Sequence, residues 1–126
     1  MLKEIMHQGA PAGNAYYSAA VRDGDVLYVS GQLPLNPVTR EFYQGDAREQ
    51  TLRALENVEK LAKMEGGDRN SIIRTTAYVA DIELWEDVNQ AYAEFFGKHR
   101  PARTIVAVSA VHFGFSVEIE AIIKLN

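Results

Sequence analysis

Pro101-Ala102-Arg103-Thr104-Ile105-Val106 and, after a short loop, Val117-Glu118-Ile119-Glu120-Ala121-Ile122 are two β-prone runs that carry an arginine and two carboxylates. A charge inside an apolar strand is costly unless it is paired or bound to something. Side chains alternate along a strand, so Glu118 and Glu120 share a face with Ile122, while Val117, Ile119, Ala121 and Ile123 form an apolar face on the other side. Arg103 stands at a strand start, where its planar guanidinium is suited to grip a carboxylate or phosphate through two parallel hydrogen bonds; the alternative is an internal salt bridge. The simplest reading makes the remainder of the chain a scaffold that holds Arg103 and Glu118 near each other.

Working outward, the chain punctuates itself clearly. Leu2 to Met6 reads as an edge strand and His7 to Asn14 as a loop. Tyr16 to Arg22 and Val26 to Ser30 read as a hairpin about Asp23-Gly24, with Ser30 and Gly31 at a strand end where polar groups are free to meet a ligand. Leu33 to Tyr43, with Pro34, Asn36 and Pro37, is an extended connection. Asp46 and Glu49 resemble a capping box, and Leu52, Leu55, Val58, Leu61 and Ala62 recur on one helical face until Gly66-Gly67. The opposite face, with Arg48, Arg53, Glu56, Lys60 and Lys63, reads as solvated.

Ser71 to Ala80 alternates as a buried strand, with Ile73, Thr75, Ala77 and Val79 on one side and Ile72, Arg74, Thr76 and Tyr78 on the other. A second helix is expected from Glu83 to Phe96, capped by Asp81 and stopped by Gly97. Its stripe Leu84, Val88, Ala91, Tyr92, Phe95 and Phe96 reads as core. Asn89 lies beside the stripe, where its amide either caps local backbone or reaches a site. Strands from Arg103 to Val108 and Ser116 to Leu125 complete the order β-β-β-α-β-α-β-β. The economical architecture is α+β, a mixed six-stranded sheet with two helices on one face.

Composition removes several functions. A chain of 126 residues, 47% apolar and 24% charged, suits one domain spanning 1–126. Its 13 basic and 17 acidic residues leave a net charge of −4, which argues against nucleic acid as a partner and against ribonuclease activity. It has no cysteine, which excludes disulfides, thiolate nucleophiles and cysteine zinc sites. His7, His99 and His112 lack ligand spacing, so no metal is expected; no serine has a nucleophile-elbow context, and no glycine-rich phosphate loop follows a strand. With no signal-like start or membrane-length apolar run, the chain reads as soluble and cytoplasmic. Arg103 and Glu118 remain as a carboxylate clamp and a general base that positions water. Glu120 reads as part of an exposed strand face or a subunit interface.

Tyr17-Ser18-x-Ala20, Val29-Ser30-Gly31-Gln32-Leu33-Pro34, Asn57, Thr75-Thr76-x-Tyr78, Val88-Asn89-x-x-Tyr92-x-x-Phe95-Phe96, Pro101-Ala102-Arg103-Thr104 and Val117-Glu118-Ile119-Glu120-Ala121 occur in order along nearly the whole chain. Together they resemble the RidA/YjgF family of reactive intermediate deaminases, whose name is also given as endoribonuclease L-PSP. The resemblance implies a chorismate-mutase-like fold closing as a homotrimer, with ligand clefts at subunit interfaces. It implies a cofactor-free hydrolysis of enamines or imines, such as 2-aminoacrylate released by pyridoxal-phosphate enzymes, to a 2-keto acid and ammonia. On that resemblance Arg103 holds the substrate carboxylate and Glu118 positions the attacking water. Tyr17, Ser30, Gly31 and Asn89 then line the cleft, with Thr104 and Ile105 adding backbone or wall contacts. A rival reading keeps the same cleft as a non-catalytic module that binds small carboxylates and regulates a partner.

Three positions depart from the family pattern. Ile105 stands where many members carry cysteine, Ala15-Tyr16-Tyr17 replaces Gly-Pro-Tyr, and Val111-His112-Phe113-Gly114-Phe115 is aromatic where members often show a Leu-Pro turn.

Overall fold

The computed structural model describes residues 1–126. Asp46 accepts a hydrogen bond from the Glu49 amide at 2.9 Å and starts α1 (Ala47–Met64). Gly66 ends the helix in the left-handed region at φ +91°. Its amide bonds the Lys63 carbonyl, and the Gly67 amide bonds the Ala62 carbonyl at 2.9 Å, the paired closure that glycine permits. The second helix, α2 (Trp85–Phe96), begins later than the spacing predicts. Asp81 caps a 3-10 turn over Ile82–Leu84 instead, by accepting from the Glu83 amide, and Leu84 is only partly buried.

Six strands, β1 (Leu2–Ile5), β2 (Ala20–Asp23), β3 (Val26–Gln32), β4 (Ile72–Val79), β5 (Ala102–Ala107) and β6 (Val117–Lys124), form one sheet in the order β1-β2-β3-β6-β4-β5. Neighbours are antiparallel except β4 and β5, which run parallel through the crossover helix α2. This is the expected mixed sheet. Leu55, Val58 and Leu61 of α1 and Val88, Tyr92 and Phe96 of α2 join one core cluster with Val117, Ile119 and Ile123 of β6. Both helices therefore lie on one face of the sheet, and the face bearing Tyr28, Tyr78, Glu120 and Val106 is covered by neither.

Two strand expectations change. The hairpin's first strand is Ala20–Asp23, not Tyr16 to Arg22, because β1 pairs with only four residues and Ile5 already meets Ala20. Tyr16 and Tyr17 are left exposed on a loop. In β4 the register against β6 slips between Ile72 and Arg74, so Ile72 turns into the core and Ile73 out, the reverse of strict alternation.

Polar groups tie the elements together. Asn57, buried in α1, donates to the Leu33 and Leu35 carbonyls at 3.0 and 2.7 Å and so fastens the extended connection to the helix. Buried Glu59 accepts from the Arg69 amide and guanidinium, while Arg69 also donates to the Phe95 carbonyl at 2.6 Å, joining α1 to the end of α2.

Candidate functional site

Arg103 lies on β5 opposite Thr75 of β4, and Thr75 faces the core. The guanidinium consequently points to the helix side, where it rests 4.8 Å from the Tyr92 ring centre and 5.3 Å from that of Trp85. Its Nη1 donates to Asn89 Oδ1 at 3.1 Å, so the Asn89 amide holds the guanidinium rather than a local backbone group. Trp85, Asn89 and Tyr92 fall at i, i+4 and i+7 of α2 and form a platform for one cation. Tyr92 is fixed in turn by a 2.7 Å hydrogen bond between its hydroxyl and that of Thr75, and burial pushes its phenol up to about 12, so it remains neutral. A cavity of about 550 Å³ opens beside Arg103, with His99 and Arg100 on its rim.

Glu118 lies elsewhere. Its partner on β4 is Tyr78, an odd number of residues from Thr75, so Glu118 emerges on the opposite, helix-free face. It lines a cavity of about 370 Å³ with Gly31, Val111 and Glu120. Desolvation raises the Glu118 carboxyl above the usual carboxylate range; the nearby His112 opposes the shift and Glu120 adds to it. The β3 strand bulges opposite β6 between Val29 and Gln32. At that bulge Gly31 comes so close that a Cβ there would sit 2.5 Å from Glu118 Oε2. Only glycine lets this carboxylate keep its position.

The remaining predicted residues divide between these places. Ser30 donates to the Ser18 carbonyl at 2.7 Å and pins the bulge to the preceding loop. Tyr17 and Gly31 line a further cavity of about 670 Å³ under the N-terminal loop. Ile105 shares the Arg103 side and packs against the core, whereas Thr104 faces the open side and accepts from Arg74 at 3.2 Å. One chain thus brings Arg103 to Asn89, and Glu118 to Gly31, without bringing Arg103 to Glu118. The expected juxtaposition within a single scaffold is not met, because the strand registers send the two side chains to opposite faces. None of the chain's ion pairs includes Arg103 or Glu118.

Trp85 and Thr75 were not singled out as site residues. The helical spacing of Trp85 and Tyr92 about Asn89 is the sequence signal for the platform, although the tyrosine also reads as part of the core stripe. Gln32 was also passed over, although its side chain bonds both His7 and the Ser30 carbonyl at the bulge. No group of three His, Cys, Asp or Glu side chains is placed to hold a metal ion.

The chain resembles known proteins over its full length. A family model described as Endoribonuclease L-PSP matches residues 7–125. The RutC family protein y4sK of Sinorhizobium fredii is 39% identical over 126 residues, covering 100% of both chains. The chloroplastic Reactive Intermediate Deaminase A of Arabidopsis thaliana is 34% identical, over 98% of this chain and 66% of that protein. The crystal structure of E. coli TdcF with bound serine superposes with a TM-score of 0.88 at 31% identity, covering 98% of this chain and 99% of that one. A signature spread over β2 to β6 and both helices, on the same architecture, places this chain in the endoribonuclease L-PSP family, the RidA/YjgF family.

Proposed function

We propose that the protein is a cofactor-independent deaminase that hydrolyses reactive 2-enamino and 2-imino acids, such as 2-aminoacrylate, to 2-keto acids and ammonia. The observation that carries this reading is the unpaired Arg103. Its charge is held half-buried by an amide oxygen and two aromatic faces, with no carboxylate to neutralise it. A half-buried guanidinium supported in this way is complementary to a carboxylate supplied from outside. Glu118 is the matching group, a partly desolvated carboxyl that belongs to none of the chain's salt bridges. Because the two leave opposite faces of one sheet, the reading needs a second copy of the chain: Arg103 of one copy and Glu118 of its neighbour close one cleft, three times in a homotrimer.

In that cleft Arg103 fixes the substrate carboxylate, and Glu118 accepts a proton from water as its oxygen attacks the C=N carbon. An enamine such as 2-aminoacrylate reaches this imine by moving a proton from nitrogen to C3. The water proton passes from Glu118 to the imine nitrogen to give the carbinolamine, and its hydroxyl proton moves to nitrogen as the C–N bond breaks, releasing ammonia and a 2-keto acid. Imine hydrolysis is facile in itself, so orientation of one water and one anion supplies the acceleration. The named deaminase among the relatives supports this chemistry. When a dehydratase generates 2-aminoacrylate in the assay, wild type is expected to speed keto-acid release and Arg103→Ala to fall to the spontaneous rate; equal rates would refute the assignment. The serine held by TdcF supports a second reading, a carboxylate-binding regulatory module. That reading predicts saturable calorimetric binding of 2-ketobutyrate, lost in Arg103→Ala, with no turnover of any imine.

A further inference from the structure

The loop between β5 and β6 carries a feature that the carboxylate clamp and the water-positioning group do not use. Val111 and Phe115 are buried against Leu35, but Phe113 between them is 52% exposed and adopts φ +61°, the left-handed region that a bulky side chain rarely enters. Strain of this kind persists where the surrounding structure enforces it, often at ligand sites. The enforced position sets the Phe113 ring centre 5.2 Å from that of Phe42, which lies 4.8 Å from Phe115. Phe42 is itself 43% exposed and is pinned by a backbone bridge to Leu35. The two phenylalanines thus present an aromatic wall to solvent.

The loop that carries Phe113 also lines the Glu118 cavity, through Val111. Ala110 and Val111, at the base of the same loop, line that cavity together with Glu118 and Gly31, and Val108 connects the lining to the Leu35, Val111 and Phe115 cluster. The exposed rings themselves are apolar, with the His112 ring 3.8 Å from that of Phe113. They suit an apolar group projecting from a substrate whose reacting carbon is beside Glu118.

We propose that Phe42 and Phe113 form a specificity wall that selects 2-imino acids with large apolar side chains over small ones. The inference rests on the deaminase reading and names its substrate class. The substrate's carboxylate is held by Arg103, its imine carbon lies at Glu118, and its side chain stacks on the exposed rings.

The test generates imino acids in situ by oxidising alanine or phenylalanine with an amino-acid oxidase and follows keto-acid release. Wild type is expected to show kcat/KM about tenfold higher for the phenylalanine-derived imine. Phe113→Gly, which suits the φ at that position, is expected to bring the ratio close to one, and Phe42→Ala to lower it in part. Absence of preference in wild type, or a preference kept in the Phe42→Ala/Phe113→Gly double variant, overturns the wall. Should neither imine be accelerated, the deaminase reading fails instead, and calorimetry with phenylpyruvate and pyruvate decides the wall alone. Tighter phenylpyruvate binding, lost in Phe113→Gly, sustains it; equal or absent binding of the two acids overturns it.

Discussion

A histidine that stays neutral inside a protein makes stability depend on pH, and His7 is in that position. Desolvation lowers it below the usual 6.5, helped by the charge of Lys60, although its hydrogen bond to Gln32 opposes the shift. Its Nε2 lies 2.8 Å from Gln32 Oε1, and the Gln32 amide donates to the Ser30 carbonyl at 3.0 Å. This short relay braces the bulge at which Gly31 meets Glu118. Because the folded state binds the proton less readily than the unfolded chain, the His7 contribution is complete above pH 6.5 and is lost as pH falls through its lowered value. Thermal melts from pH 7.5 down to 5 are expected to show wild type losing more stability than His7→Asn. Parallel pH dependence in the two would contradict the assignment.

Among the elements, α1 does more than cover the sheet, and Asn57 is the reason. One buried amide group satisfies two carbonyls of the connection after β3 and fastens the chain where it leaves the sheet. Asn57→Ala leaves those carbonyls without their donor and is expected to cost about 2 kcal/mol of stability. A urea midpoint unchanged within error would contradict that role. Asn57 stood out in the sequence only as part of a family signature; periodicity alone sees a polar residue on a helix. The elements themselves were largely legible, since the Asp46 cap, the Gly66-Gly67 stop and the alternation of β6 are local signals. The Ile72–Ile73 inversion was not, because it comes from a register slip imposed by β6. Nor was the separation of Arg103 from Glu118: it depends on which β4 residue each one faces, and pairing register is a nonlocal property. The chemical types at the site were legible; their placement on opposite faces needed the sheet.

In the whole molecule, one sheet face is packed by two helices and the other presents Tyr28, Val106 and Ile122 around Tyr78 and Glu120. β5 also leaves one sheet edge without a neighbouring strand, and it is the strand that carries Arg103. The proposed shared cleft would use both features: association of copies would cover the partly apolar face and bring Arg103 and Glu118 together.

Subunit complementation tests this most directly. In trimers coexpressed from equal amounts of Arg103→Ala and Glu118→Gln, about one interface in four joins an intact Arg103 to an intact Glu118. If each cleft is shared between copies, the mixture hydrolyses 2-aminoacrylate at about a quarter of the wild-type rate, although each variant alone is inactive. A mixture no more active than the separate variants would contradict the shared site.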